Sequence, residues 1–442
     1  MAIVKEQPTA ARLAPLSETT FIGWLHKNLF SSWLNAALTF ISLYIIYMTV
    51  TGLWVWGIGD AVWVARDRRE CFAISIDGAC WAGVIEWLDN IFYGRYPRTE
   101  LWRVNLGGLT LMLWMAPLWL PRVKGKILVG LSAIFLYPFL AGYLFTGGEK
   151  GVFMQIMVAG AIVCLAGNVM NAIAGLFSGR SLPDYLIRLP GLAAASEKGQ
   201  RTLILAVLVA AFAAVFFLQA DWTLNEVPWT KWGGMFLTLV ISGIGIATAL
   251  PGGIVLALGR RSKLPLIRVL STSFIELFRS VPLITVLFMA TTMFPLFVPD
   301  GFVLNKLVQV IIAVCLFYAC YMAETVRGGL QAIPKHQYEA AHTIGLGYWG
   351  TMGLVVMPQA LKLMIPNIVG SFIGLLKDTT LVAIIGLFDI LGMLRSVSQD
   401  VPWRGLHREP LIFGAVLFFI ICFIMSKYSR HLEAKLSAGD GR

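Results

Sequence analysis

Charged residues are scarce in this chain: Asp, Glu, Lys and Arg together make up 13% of 442 residues. Soluble domains carry roughly a quarter. Histidine is scarcer still, with five residues and no H-E-x-x-H pair, which excludes the helical zinc site of metalloproteases. The six cysteines contain no C-x-x-C, so no thiolate metal cluster or redox pair is encoded. No G-x-x-x-x-G-K-[ST] occurs, and the chain therefore lacks that route for cradling nucleotide phosphates. A membrane-embedded enzyme would need a polar catalytic cluster that the scattered histidines do not supply. No catalytic residue, metal or cofactor is expected.

Apolar residues take the place of the missing charge, at 58% of the chain with a mean hydropathy of +0.76. This is the composition of a polytopic, all-α membrane protein, because lipid leaves the backbone no polar partner outside its own helix. The net charge of +11 does not point to nucleic acid, since no basic, aromatic-interleaved domain stands apart from the apolar runs. Runs near 33–57, 105–121, 127–145, 152–178, 202–219, 232–259, 270–297, 307–328, 367–393 and 410–427 give about ten candidate transmembrane helices. The polar segment before the first run carries Lys5, Arg12 and Lys27. That run is too long for a signal-peptide core, so a retained first helix is expected.

Lysine and arginine concentrate in alternate loops. Arg122, Lys124 and Lys126 follow the second run; Arg180, Arg188, Lys198 and Arg201 follow the fourth. Arg260, Arg261, Lys263 and Arg268 follow the sixth, Arg327, Lys335 and Lys362 surround the loop after the eighth, and Lys427, Arg430 and Lys435 follow the tenth. The intervening loops 58–104, 147–150, 220–231 and 298–306 are acidic or balanced. Positive residues resist export, so both termini and the loop after the eighth run are assigned to the cytoplasm. The loop 394–409, with Arg395, Arg404 and Arg408, runs against this pattern. Cys164, Cys315, Cys320 and Cys422 fall inside runs, whereas Cys71 and Cys80 share the long outer loop 58–104. A disulfide between those two and a pair of free thiols are both open readings.

The chain changes texture near Trp232, after which Gly243, Gly245, Gly252 and Gly253 appear in the apolar runs. Small residues suit close helix packing, and a breakable helix at Pro251 is the alternative. Between two apolar runs lies a polar insert, Gln337-Tyr338-Glu339-Ala340-Ala341-His342-Thr343-Ile344-Gly345, running on to Val355-Val356-Met357-Pro358. Pro334 suits a helix start, and Gly345 with Gly347 suits its stop. Tyr338, Ala341 and Ile344 lie at helical spacing and predict one apolar face on a short docking helix.

The spacing E-A-A, three residues, Gly, nine residues, apolar-x-apolar-Pro resembles the coupling loop of ATP-binding-cassette (ABC) importer permeases. Met235–Leu239, Ile275–Leu283, Ala323–Pro334, Pro358–Leu361 and Leu375–Leu381 are similar to consecutive signatures of the histidine, glutamate/glutamine, arginine and opine permease group. Val355 and Met357 replace the commoner Ile and Leu, and Ser280-Val281 stands where Gly-Thr is usual. The long N-terminal part resembles the larger permease subunit of general L-amino-acid uptake systems of Gram-negative bacteria. The resemblance implies an N-terminal extension over 1–231, a five-helix transmembrane core over 232–428 with a cytoplasmic coupling loop at 333–366, and a cytoplasmic tail at 429–442. It implies a bacterial inner-membrane importer whose ATPase grips Tyr338, Glu339, Ala340, Ala341, Gly345 and Pro358. A second, non-identical permease subunit and a periplasmic amino-acid-binding protein are implied partners.

Charges near apolar runs are functional candidates, because burying them in lipid is costly. Glu276, Arg279, Glu324, Lys377 and Asp378 are the candidate substrate path, since an amino acid offers both an ammonium and a carboxylate. Mutual pairing is the competing reading, with Glu276–Arg279 and Glu324–Arg327 one helical turn apart and Lys377 beside Asp378. A secondary amino-acid transporter or channel is the alternative function. It would need the charges but no handle for a motor.

Overall fold

The computed structural model describes residues 21–120, 123, 125–177, 197–220, 222–299 and 304–437. The expected loop charges Lys5, Arg12, Arg122, Lys124, Arg180 and Arg188 lie outside the described residues, as do the side chains of Lys198 and Arg201. Among the described residues the elements are helices joined by turns and a few isolated bridges, with no strand.

Among the described residues six helices are long and apolar enough to cross a membrane: Trp33–Gly59, Lys126–Thr146, Val152–Ile173, Gly234–Arg260, Lys306–Ala332 and Arg408–Leu436. Two bent pairs raise the number to eight. The remaining expected runs, 105–121 and 202–219, fall on helices Leu101–Trp119 and Glu197–Ala220. Two runs are not the single helices that average hydropathy implied. Run 270–297 breaks by 107° between Pro265–Ser280 and Leu283–Phe297. Val281 is extended there (φ −114°, ψ 137°) because Pro282 crowds the residue before it out of the helical region. Run 367–393 begins in a helix that tightens and stops at Ala383, and Asp389 then starts a separate helix. The pair Tyr348–Leu363 and Ile365–Ala383 is itself bent by 64°.

Two compact units are present, residues 1–86 with 401–409, and residues 87–400 with 410–442. In the first, helix α1 (Trp33–Trp54) is capped by Ser32, whose hydroxyl accepts from Asn35 N at 3.2 Å. No residue of α1 is buried; it touches the preceding segment, where Thr39 donates to Leu29 O at 2.9 Å and Phe40 meets Phe30. Short helix α2 (Arg68–Ile74) starts at Asp67, whose carboxylate accepts from Glu70 N at 2.8 Å. A disulfide joins Cys71 of α2 to Cys80, with Cα atoms 5.8 Å apart. Distant sequence closes over this loop. Arg68 N donates to Pro402 O, Arg68 Nη1 to Arg404 O, Cys80 N to Glu409, and the Trp403 indole to Glu86. Trp403 is fully buried against Gly83, where a Cβ would come within 2.8 Å of its ring.

The second unit begins with helix α3 (Leu101–Trp119) and helix α4 (Val152–Phe177). Arg103 of α3 is fully buried, donating to Leu144 O at 2.8 Å, to Asn225 O at 2.9 Å and toward Glu100 at 3.4 Å. Tyr96 donates to Phe145 O in the same knot. The Phe145 ring meets Trp232 and Phe236, at the start of α5 (Gly234–Arg260). Helix α5 runs unbroken through Pro251 and packs on α7 (Lys306–Ala332), with α6 (Pro265–Ser280) between them in sequence. Gly245 and Gly253 serve packing, whereas Gly243 faces open space. Cβ atoms at Gly245 and Gly253 would fall 2.8 Å from Leu375 and 2.6 Å from Met322. Its first turn is tied by Gly234 N to Phe388 O and by Thr238, whose hydroxyl accepts from Ile390 N. Beside it the buried Asp389 carboxylate accepts two backbone N–H bonds, from Leu391 and Gly392.

Candidate functional site

Helix α8 (Lys335–Thr343) follows α7 after Pro334, whose ring fixes the entry and whose missing N–H is no loss at a helix start. Gly345 then takes φ +80° and ends it, donating its N–H to His342 O. One face is anchored. Ala341 is 2% exposed, and Tyr338 packs on the buried cluster of Met352, Val356 and Ala360. The Tyr338 hydroxyl donates to Leu330 O at 3.2 Å and accepts from Arg261 Nη1 at 3.2 Å. The Arg261 guanidinium lies 5.7 Å over the Tyr338 ring, close enough for a cation–π contribution. These residues, with His342, Tyr348, Thr351 and Met352, line a cleft of about 180 Å³.

The other face is open. Glu339, Ala340 and His342 are exposed. Ile344 does not complete the apolar face that spacing predicted. The helix stops at Thr343, and Ile344 turns outward at 74% exposure, near Trp349 in sequence at 75%. Pro358 sits in the first turn of helix Met357–Leu363, just after a π-helical segment over Thr351–Val356. This segment is held against α7, since a Cβ at Gly329 would lie 2.6 Å from Ala360 O. Gln359 Nε2 also reaches Gln337 Oε1 of α8 at 3.3 Å.

Glu276, Arg279 and Glu324 are brought together, although not by the local pairs alone. Glu324 bonds Arg327 one turn away on α7. Glu276 pairs with Arg260 at 3.0 Å, and Arg279 with Glu324 at 3.3 Å. Arg260 reaches Glu324 as well, at 3.4 Å. Three helices, α5, α6 and α7, thus share one cluster of three arginines and two glutamates. Lys377 and Asp378 stand apart, in helix α9 (Ile365–Asp378). Asp378 accepts from the Tyr318 hydroxyl of α7 at 2.6 Å, and Lys377 is exposed.

Arg260 and Arg261 were legible in sequence only as loop charges of the sixth run. Their position as the last residue and the cap of that run was the missed signal. Tyr318, which orients Asp378, carried no pattern. The Asp lies in the Leu375–Leu381 signature, but its tyrosine partner comes from another helix.

Residues 249–438 match the family described as "binding-protein-dependent transport system inner membrane component". The inner membrane amino-acid ABC transporter permease protein YhdY of Escherichia coli is 38% identical over 419 residues, covering 94% of this chain and 93% of that protein. The glutamate/glutamine/aspartate/asparagine transport system permease protein BztC of Rhodobacter capsulatus is 40% identical over 446 residues, covering 98% of both chains. A crystal structure of an amino acid ABC transporter with histidines aligns at 27% identity and a TM-score of 0.42, covering 46% of this chain and 92% of that one. This chain, with its helical membrane core, belongs to the amino-acid ABC transporter permeases, a family of importer subunits that are not themselves catalytic.

Proposed function

We propose that α8 is the cytoplasmic handle through which a separate ABC ATPase drives the transport of polar L-amino acids across the bacterial inner membrane. One observation carries this reading: α8 is tethered on one side by Tyr338 and Ala341, while Glu339, Ala340, Ile344 and the nearby Trp349 are exposed. A helix too short and polar to span, held rigidly and left bare on one face, suits a groove on another protein. The coupling loop is 333–366 in a core over 232–428, with both termini inside and about ten spans in all, the sidedness supported by the loop charges. Within the extension over 1–231, the loop 58–104 with its Cys71–Cys80 disulfide belongs to the outer face. There the disulfide fits an oxidising compartment.

The assembly contains a second, non-identical permease, two ATPase subunits and a periplasmic binding protein that delivers the substrate. ATP-driven closure of the motor pulls the coupling helices together, and the pathway turns from inward- to outward-facing. The names of the two relatives support amino acids as cargo, with glutamate, glutamine, aspartate and asparagine the first to try. Within the pathway, Asp378 and Lys377 suit the ammonium and carboxylate of an amino acid better than Glu276, Arg279 and Glu324, each of which already has an ion-pair partner.

The test is a complex reconstituted in proteoliposomes. Glu339→Lys and Gly345→Asp are expected to abolish co-purification of the ATPase, or to leave it bound while transport falls at least about tenfold, with the helical content unchanged. Transport that survives ATP depletion would instead select the secondary-transporter reading. A panel of amino acids, scored by stimulation of ATP hydrolysis, identifies the cargo.

A further inference from the structure

Two consecutive residues face in different directions from the end of α5. Arg260 is its last residue and Arg261 its cap. Arg260 enters the charge cluster, toward Glu276 of α6 and Glu324 of α7, whereas Arg261 takes the Tyr338 hydroxyl of α8. Their Cα atoms are separated by one rigid peptide unit of about 3.8 Å, so a displacement felt by one is passed to the other. The Tyr338 hydroxyl is also bonded to Leu330 O, which places α8, α7 and α5 on one short chain of hydrogen bonds.

The element positioned by this chain is α6. Only Ile275 of its 16 residues is buried, and its end at Ser280 is where the path turns by 107°. Apolar packing therefore holds α6 weakly. Its charges hold it at two points, Glu276 to Arg260 and Arg279 to Glu324. These side chains are 23–54% exposed, a setting in which each ion pair contributes roughly 0–1 kcal/mol and is easily exchanged. Three arginines face two glutamates, so the cluster always holds one cation in excess, ready to change partner.

We propose that Arg260 and Arg261 are a positioning pair for transport, through which movement of the docking helix α8 releases or sets α6 by rearranging the Glu276–Arg279–Glu324–Arg327 cluster. This inference rests on the reading of α8 as the motor's handle. It adds the specific residues that carry the motion inward. Two sites coupled through a two-state element are expected to show a finite coupling, typically a factor of about 5–150.

The experiment uses the full permease, reconstituted with its ATPase, partner permease and binding protein. Basal ATP hydrolysis is measured beside hydrolysis stimulated by the amino-acid-loaded binding protein. Arg260→Gln and Arg261→Gln are each expected to raise the basal rate and cut the stimulated-to-basal ratio about tenfold, while the ATPase co-purifies undiminished. The double variant is expected to lose no more than either single one, because both act in one chain. Arg260→Lys is expected to restore most of the ratio, since it keeps the charge. Single effects that multiply in the double variant, or an unchanged ratio, would overturn the proposal. If the glutamine variants fail to assemble, Tyr338→Phe decides, as it removes one hydroxyl and leaves the ring. A normal ratio in that variant overturns the proposal, and a depressed one supports it. Failure of the handle reading shows separately, as wild-type transport that needs no ATP.

Discussion

Helix α5 carries an arginine site at each end, and the two are built on opposite principles. Near its first turn the knot around Arg103 is sealed: the guanidinium is fully buried, with Nε and Nη1 donating to the backbone carbonyls of Leu144 and Asn225. At its last turn, about 40 Å away by helical rise, Arg260 is partly exposed and pairs with the side chains of Glu276 and Glu324. A backbone carbonyl moves only with its whole segment, so Arg103 ties segments into one body. A glutamate can rotate to another partner, so Arg260 joins helices that still move. Burial with backbone acceptors makes a joint permanent, and exposure with side-chain acceptors makes it exchangeable.

The contrast is broken most severely by Arg103→Met. The carbonyls of Leu144 and Asn225 lose this donor and the Glu100 carboxylate loses its arginine, keeping Asn225, which is expected to cost about 3–5 kcal/mol and to deplete the folded protein from membranes. Fluorescence-detected size exclusion with a thermal ramp measures it, and a melting point like that of the wild type would show that the knot is dispensable. A smaller difference separates two glycines with positive φ. At Gly147 (φ +64°) an added Cβ would meet Arg103 Nη2 and Asn225 O at 2.3 Å, whereas at Gly345 (φ +80°) it would meet nothing within 4 Å. Gly147→Ala is expected to destabilise by roughly 2–3 kcal/mol and Gly345→Ala by about 1 kcal/mol, so the melting shifts should differ clearly. Equal shifts would refute the sealed character of the first site.

The smallest effect is the pH response of the sealed knot. The Asn225 amide and, further, Arg103 hold the Glu100 carboxyl below its ordinary value of 4.5, against an opposing push from burial. Its folded value is the lower one, so its contribution is complete above the ordinary glutamate range and is lost as pH falls through the folded value. Glu100→Gln should therefore flatten the acid limb of the melting curve below about pH 4.5 and leave neutral pH nearly unchanged. An acid limb as steep as that of the wild type would assign the response to other carboxylates.

Apolar runs located the long helices, because lipid-facing composition and helical hydrogen bonding impose the same answer on each such segment. They missed the breaks at Val281 and after Ala383, since a hydropathy average sums across a bend. The Val281-Pro282 step was visible, but only the local conformation of Val281 turns it into a corner. The docking helix was legible from Pro334 to Gly345 because its start and stop are local. Ile344 was placed on the wrong side since periodicity continues on paper past the residue where the helix ends. The pair Glu324–Arg327 follows from spacing. Arg260 was not expected as a partner of Glu276, because a residue from the neighbouring helix competes with the local Arg279, and sequence spacing does not rank the two.

The closure of residues 401–409 over the Cys71–Cys80 loop also bears on how this protein is made and divided. Cys80 meets Glu409 across 329 positions, and Trp403 meets Glu86 across 317. Synthesis from the N-terminus therefore leaves the first unit open until almost the last helix has emerged, and a ribosome that stalls early releases a chain with that loop uncovered. A shortened gene beginning near Trp232 would retain α5 through the final helix. It would strand the Trp403 indole and the Glu409 carboxylate, at about 1–3 kcal/mol for each buried polar group left unmet. Loss of residues 68–86 uncovers the segment 401–409 that they hydrogen-bond, and should appear first as proteolysis at 401–406.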